Sequence, residues 1–258
     1  MEFLLTAPWL LRLALLTAAL LAMTAAFTGL AFALERRLAA RRIFAIPLRP
    51  GQRARELRNT IVFQLLAALA LTAYLDLIPW TEGWGPGLWT FLACWFGFEV
   101  YYYAQHRALH TRALVRFHRW HHASRITTPL SGQSLGIVEA LGWIGGLVLF
   151  PALLSQLGLL HAGALVTYLL ASAAGNIIGH ANAEPHPRSS GERGKSWLTH
   201  PFTYHALHHA RWTGHYGLGM TVLDRLLGSE WSDWPKLHAR VVAGEPMRSF
   251  KDRGGEPD

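Results

Sequence analysis

Apolar residues in this chain gather into five long blocks, divided by short polar or glycine- and proline-bearing breaks. The first runs from Pro8 to Leu34 and meets a charge only at Arg12. The others run from about Thr60 to Ile78, Pro86 to about Tyr103, Leu135 to Leu154 and Leu160 to Ile178. A helix crossing the hydrocarbon layer needs roughly 20 apolar residues, so the blocks read as membrane segments rather than core helices. Only Ser155–Leu159 separates the last two, which therefore form a hairpin that spans or re-enters. Its glycines, Gly142, Gly145 and Gly146, permit close packing or a break. The pattern predicts an all-α membrane protein with four to five transmembrane or re-entrant helices and a cytoplasmic helical cap.

The polar positions set the topology. A signal peptide carries positive charge before its apolar core, whereas here Glu2 precedes the first block and Arg36, Arg37, Arg41 and Arg42 follow it. By the positive-inside rule the N-terminus lies outside and residues 35–58 lie in the cytoplasm. The loop Thr81–Gly85 has no Lys or Arg, as an outside loop should. The third segment then returns near His106, the hairpin returns at His180, and residues 180–258 stay cytoplasmic. The chain reads as one integral-membrane domain over 1–258. It divides into a first span with a basic loop (1–58), a core (59–247), and a polar tail (248–258) expected to be disordered.

Composition agrees. Of 258 residues 51% are hydrophobic and only 16% charged, against roughly 25% charged in soluble domains. The net charge of +8 is concentrated in the arginine loop, which suits contact with anionic lipid headgroups. No aromatic-basic platform accompanies it, so no nucleic-acid partner is expected. The single cysteine, Cys94, excludes an intrachain disulfide and any Cys-based zinc or iron–sulfur site.

Fourteen histidines are present, none before residue 106, and thirteen of them lie between His106 and His215. His106 and His110 are four apart, which places them on one helix face. His118, His121 and His122 have spacings of three and four, and His205, His208 and His209 repeat them. Such offsets let two imidazoles of one helix reach one ion at about 2.1 Å while the adjacent third turns elsewhere. Eight histidines exceed the needs of one ion and suit two. Imidazole alone admits zinc, copper, iron or nickel. An iron pair has the clearest use at a membrane face, activating dioxygen against lipid C–H bonds. No H-E-x-x-H motif offers a hydrolytic base.

"HRALH" (106–110), "HRWHH" (118–122) and "HALHH" (205–209) resemble the three histidine boxes of the fatty acid hydroxylase/sterol desaturase superfamily, membrane di-iron oxygenases. "FEVYYYAQHRALH" is similar to that family's acidic–aromatic run into the first box, "GHAN" to its isolated histidine, and "HYGLGMTVLDRLLGSEW" to its tail motif. The resemblance covers about residues 95–232. It implies metal ligands at His106, His110, His118, His121, His122, His205, His208 and His209, with His180 as the ninth. His186 competes with His180 for that place. His215 and His200 stand where the family has Asn and Thr/Ser, so each is a candidate extra ligand or supporting partner.

Six other positions invite a role. Glu99 sits two turns before His106 on the same helix face and either orients an imidazole or hydrogen-bonds an interfacial aromatic. Glu139, in the fourth block, has the same two readings. Asp224 and Arg225 suit a structural pair or cap near the site. Trp231 and Trp234 suit an interfacial aromatic belt, and His161 and His238 have no special role.

The resemblance implies a hydroxylase acting on an unactivated C–H bond of a fatty acyl or sterol-like lipid, with two iron ions, O2 as co-substrate, and zinc as a substitute in purified protein. A desaturase with the same di-iron site is the alternative, and a non-enzymatic zinc-binding scaffold the alternative of another class. The chain shows no Rossmann glycines, cysteine cluster or haem module. Two electrons must therefore come from an external donor, a ferredoxin, a cytochrome b5-like protein or similar, with its reductase.

Overall fold

A computed structural model describes residues 3, 6–77, 87–188 and 198–254; the loop expected outside, Thr81–Gly85, lies beyond the described residues. Nine α-helices and two short 3-10 turns make up the described residues, with no strand among them. The long helices are α1 (Trp9–Arg37), α2 (Gln52–Leu75), α3 (Gly87–Leu109), α5 (Ile137–Gln156) and α6 (Ala162–Gly179), with the single-turn α4 (Val115–His118) between α3 and α5. α1, α2, α5 and α6 are long and apolar enough to cross a membrane. α3 falls short of that apolarity, because its second half carries Glu99, Gln105 and His106, and it packs against α5 and α6.

Each block starts and stops within a few residues of its expected limits, except the second. α2 begins at Gln52, eight residues before the apolar run. Its opening turns bury Gln52, Glu56 and Thr60, so a polar face, invisible to hydropathy, extends the helix. Within the bundle Arg12, the one charge of the first apolar block, meets Asp76 just past α2 at 2.6 Å.

Around α3 an aromatic core gathers Phe63, Phe98, Tyr102, Trp143 and Tyr168. Phe98 stands edge-on to Trp143 with ring centroids 5.1 Å apart, a favoured quadrupole arrangement. A second core, in the cap, joins α7 (Phe202–Arg211) to α9 (Trp234–Val242), with the short α8 (Val222–Leu226) between them in the chain. Ile43, Phe44, Tyr204, Leu207, Trp234, Leu237 and Met247 fill it. Isolated bridges Arg42–Ala183 and Phe44–Met247 tie the loop after α1 to the cap, so the arginine loop and the histidines share one face of the bundle.

Two expectations give way here. Trp234 is 1% exposed in the cap core, with its indole N–H donated to Glu230, rather than standing in an interfacial belt. The tail from Arg248 differs from the disorder expected of it as far as Gly254. Phe250 packs on Phe44 and under the Arg125 guanidinium, 3.8 Å from its ring centroid.

Candidate metal centre

The ends of α3 and α6, the α4 turn and the whole inner side of α7 converge on one buried volume. His106 closes α3, His180 caps α6, and His205, His208 and His209 line α7, where all but the two terminal residues are buried. The side chains sort into two groups: His106, His110, His118, His122 and His208, and His121, His180, His205 and His209. Within each group every ligand nitrogen lies within 4.8 Å of every other. Two nitrogens on one ion at about 2.1 Å stand at most about 4.2 Å apart, so each group needs only a small contraction to close on a cation.

Hydrogen bonds fix which nitrogen faces inward. His106 Nδ1 faces the Tyr216 carbonyl at 2.9 Å, His208 Nδ1 that of Gly214 at 2.7 Å, His209 Nδ1 that of Ser124 at 3.0 Å and His180 Nδ1 that of Asn176 at 2.6 Å. A carbonyl only accepts, so each Nδ1 carries the proton and each Nε2 presents a lone pair. His118 Nδ1 instead donates to Glu139 Oε1 at 2.7 Å. In the four-histidine group the Nε2 atoms of His180 and His209 lie 3.0 and 3.2 Å from His205 Nε2. In the five-histidine group the Nε2 atoms of His106, His110, His118 and His208, and both nitrogens of His122, are buried with no protein partner. An orphaned buried polar atom costs about 1–3 kcal/mol, and so many converging lone pairs fit two cations.

Burial also keeps the imidazoles in the ligating form. Desolvation, with neighbouring imidazoles adding to it, holds His118, His121, His122, His205, His208 and His209 well below the ordinary 6.5. Burial takes His110 and His180 down to about 4.

A family model for fatty acid hydroxylases matches residues 91–229, more than half of the chain and the stretch holding all nine histidines. The chain belongs to the fatty acid hydroxylase family. Among curated proteins, this family member is similar to very-long-chain aldehyde decarbonylase GL1-7 of Oryza sativa subsp. japonica, 30% identical over 152 residues, 57% of this chain and 24% of that protein. It is similar to Protein CER1-like 2 of Arabidopsis thaliana, 31% identical over 136 residues, 51% and 22% of the two chains. Very-long-chain aldehyde decarbonylase CER1 of Arabidopsis thaliana is 28% identical over 137 residues, 51% and 21%. The chain spans about a quarter of the length of these relatives. No solved structure matches it.

The remaining candidates of this family member separate by their partners. His186 stays outside both groups, with Nδ1 on Glu184 at 2.9 Å. Both nitrogens of His200 face carbonyls, of Pro201 at 3.0 Å and Leu218 at 2.6 Å. His215 donates to the Tyr204 carbonyl and accepts from the Trp231 N–H, and its ring lies flat on Tyr204 at 3.5 Å. It stands at φ 55°, a left-handed backbone that asparagine adopts more readily. Glu99 accepts from the Gly219 N–H at 3.2 Å, a backbone partner rather than an imidazole or an aromatic ring. Asp224 accepts from the N–H groups of Tyr216 and Gly217 and from Ser229 Oγ, so it holds the loop whose carbonyls orient His106 and His208. Arg225 pairs with Glu230 at 3.1 Å instead of with Asp224.

Glu56 is the residue sequence reasoning missed. Fully buried, it accepts from Gln52, from Ser124 Oγ at 2.6 Å and from Thr128 Oγ1 at 2.7 Å. It thereby fixes the Ser124 carbonyl that orients His209. Its signal was a carboxylate set between Arg55 and Arg58 in the arginine-rich stretch 35–58, where Glu35 is the only other acid.

Proposed function

We propose that the chain is a membrane di-iron oxygenase that hydroxylates an unactivated C–H bond of a long-chain lipid, with the histidines on the cytoplasmic side. The observation that carries this reading is the division of nine histidines, eight buried and His110 half-buried, into groups of five and four. His106, His110, His118, His122 and His208 would hold one iron, and His121, His180, His205 and His209 the other. Such a pair supplies activation of O2 with two electrons from outside, one oxygen atom going to the substrate and the other to water. Imidazoles are neutral ligands, so the protein adds little negative charge there, unlike carboxylate-rich di-iron bundles.

The chain's own residues do the positioning. Carbonyls of Tyr216, Gly214, Ser124 and Asn176 lock four imidazole tautomers, and Glu139 increases the basicity of His118. A cavity of about 230 Å³ runs between Trp95, Phe98 and Glu99 of α3 and Ala171, Gly175 and Gly179 of α6, and reaches His180 and His205. It gives an acyl chain a route from the bilayer to the histidines while its walls keep bulk water away. No acidic residue lies between Glu99 and Glu139, a stretch with five arginines. That charge suits docking of an acidic electron carrier such as a ferredoxin.

The names of the relatives favour a second reading, aldehyde decarbonylation at the same site. Iron-loaded protein in nanodiscs, given a ferredoxin with its reductase, long-chain fatty acids or aldehydes, and isotopically labelled dioxygen, separates the readings. A labelled alcohol group is the expected product. An alkene indicates desaturation, and an alkane from the aldehyde indicates decarbonylation. Absence of O2 consumption with every lipid would leave a metal-binding scaffold.

A further inference from the structure

A second cavity, of about 230 Å³, lies inside the bundle between α1, α2, α5 and α6. Its walls are apolar: Leu20 and Met23 from α1, Leu71 from α2, Leu147 from α5, and Leu169 from α6. Its end toward the histidine face holds two amides, Gln64, 1% exposed, and Gln133, 2% exposed. Burying amides among membrane helices is costly unless every group finds a partner. Here Gln64 Nε2 donates to Gln133 Oε1 and to Thr24 Oγ1, both at 2.7 Å. Among the described residues this leaves Gln133 Nε2 with no acceptor and Gln64 Oε1 with no donor, in side chains that line the cavity.

We propose that this cavity binds an apolar lipid ending in a single hydroxyl group. A hydroxyl donates to Gln64 Oε1 and accepts from Gln133 Nε2, answering both free groups at once. A carbonyl would answer only the donor, and a hydrocarbon neither. The apolar walls extend from the amides away from the histidine face. Leu71 lies seven residues beyond Gln64 on α2, about 10 Å along the helix, so the tail points into the bilayer. The amide end adjoins the metal centre: the Gly132 carbonyl, next to Gln133, accepts from Asn176 Nδ2 at 2.7 Å, and the Asn176 carbonyl orients His180. The site is separate from the α3–α6 cavity and stands whether or not the oxygenase reading does.

The test is photolabelling of the full chain in phosphatidylcholine nanodiscs with hexadecanol carrying a mid-chain diazirine, read by peptide mass spectrometry. Labels are expected near Leu20–Met23 and Ile144–Leu147, displaced by unlabelled hexadecanol but not by hexadecane. Q64L is expected to lower them roughly tenfold, and A67F, which fills the cavity while keeping both amides, to lower them as well. Displacement by cholesterol would identify the hydroxyl lipid as sterol-like; displacement by hexadecanol alone would identify it as a linear alcohol. Labels spread evenly over the lipid-facing helices, equal labelling by a hexadecane diazirine, or undiminished labelling in both variants would overturn the proposal.

Discussion

His118 Nδ1 donates to Glu139 Oε1 across 2.7 Å, from the turn after the first histidine box to the first turn of α5. Both side chains are almost fully buried. The carboxylate selects the tautomer that turns His118 Nε2 toward the five-histidine group and increases its basicity. Glu139→Gln keeps the shape and removes the charge. Iron affinity of that group is expected to fall about 10- to 100-fold, with the four-histidine group unaffected, as read by metal titration with site-resolved spectroscopy.

Glu56 gives the mirror experiment. It holds Ser124 Oγ at 2.6 Å, and the Ser124 carbonyl faces His209 Nδ1 at 3.0 Å. Glu56→Gln should therefore weaken the four-histidine group and spare the other. Equal weakening of both groups in either variant would mean that the carboxylates act on the fold as a whole.

Asp224 acts one step further out, through the backbone. Asp224→Ala frees the N–H groups of Tyr216 and Gly217 and loosens the carbonyls behind His106 and His208. Gly214 in that loop stands at φ 70°, and a Cβ there would meet the Ser229 carbonyl at 2.7 Å, so the loop has little room to readjust. Loss of about 2–3 kcal/mol of stability is expected, with the five-histidine metal released first on heating. Thermal unfolding followed by both metal release and circular dichroism checks the order.

His215 should behave as a structural residue. Both its nitrogens are engaged by the backbone. His215→Asn should keep the full metal content while changing the unfolding temperature. Loss of one metal from folded protein would make His215 a ligand.

Acid should destabilise the metal-free protein. Eight of the nine histidines lie outside the long helices, and burial depresses them below 6.5, to about 4 for His110 and His180. Between the folded and unfolded values the unfolded chain binds more protons, so stability rises with pH across that window and is lost as pH falls from about 6.5 toward 4. Each such group contributes up to about 1.4 kcal/mol per pH unit. Denaturant midpoints of metal-free protein at pH 7 and pH 5 measure it; an unchanged midpoint would contradict neutral burial.

The apolar blocks made the long helices legible because a bilayer demands length and apolarity together. The histidine spacing marked eight of the residues that the fold brings together, and only the family resemblance pointed to His180. Their partition was not legible: His118 and His122 join one group while His121, between them, joins the other, and only the folded chain, which sets His208 beside His106 and His205 beside His180, decides that. The start of α2 was hidden because its turns bury Gln52, Glu56 and Thr60 in a polar interior that hydropathy counts as loop. Trp234 was misread for a related reason. Indole suits a membrane interface and a cap core equally, and what separates them is Glu230, one turn earlier, accepting its N–H.

The most direct test is metal content of folded, detergent-purified protein expressed with iron, measured beside His208→Ala and His205→Ala. Two metals per chain are expected in the parent and about one in each variant, since the two histidines belong to different groups. Iron is the expected metal, and zinc in its place should yield to iron reconstitution at the same stoichiometry. A folded parent chain that binds no metal, or variants that lose none, would contradict the account.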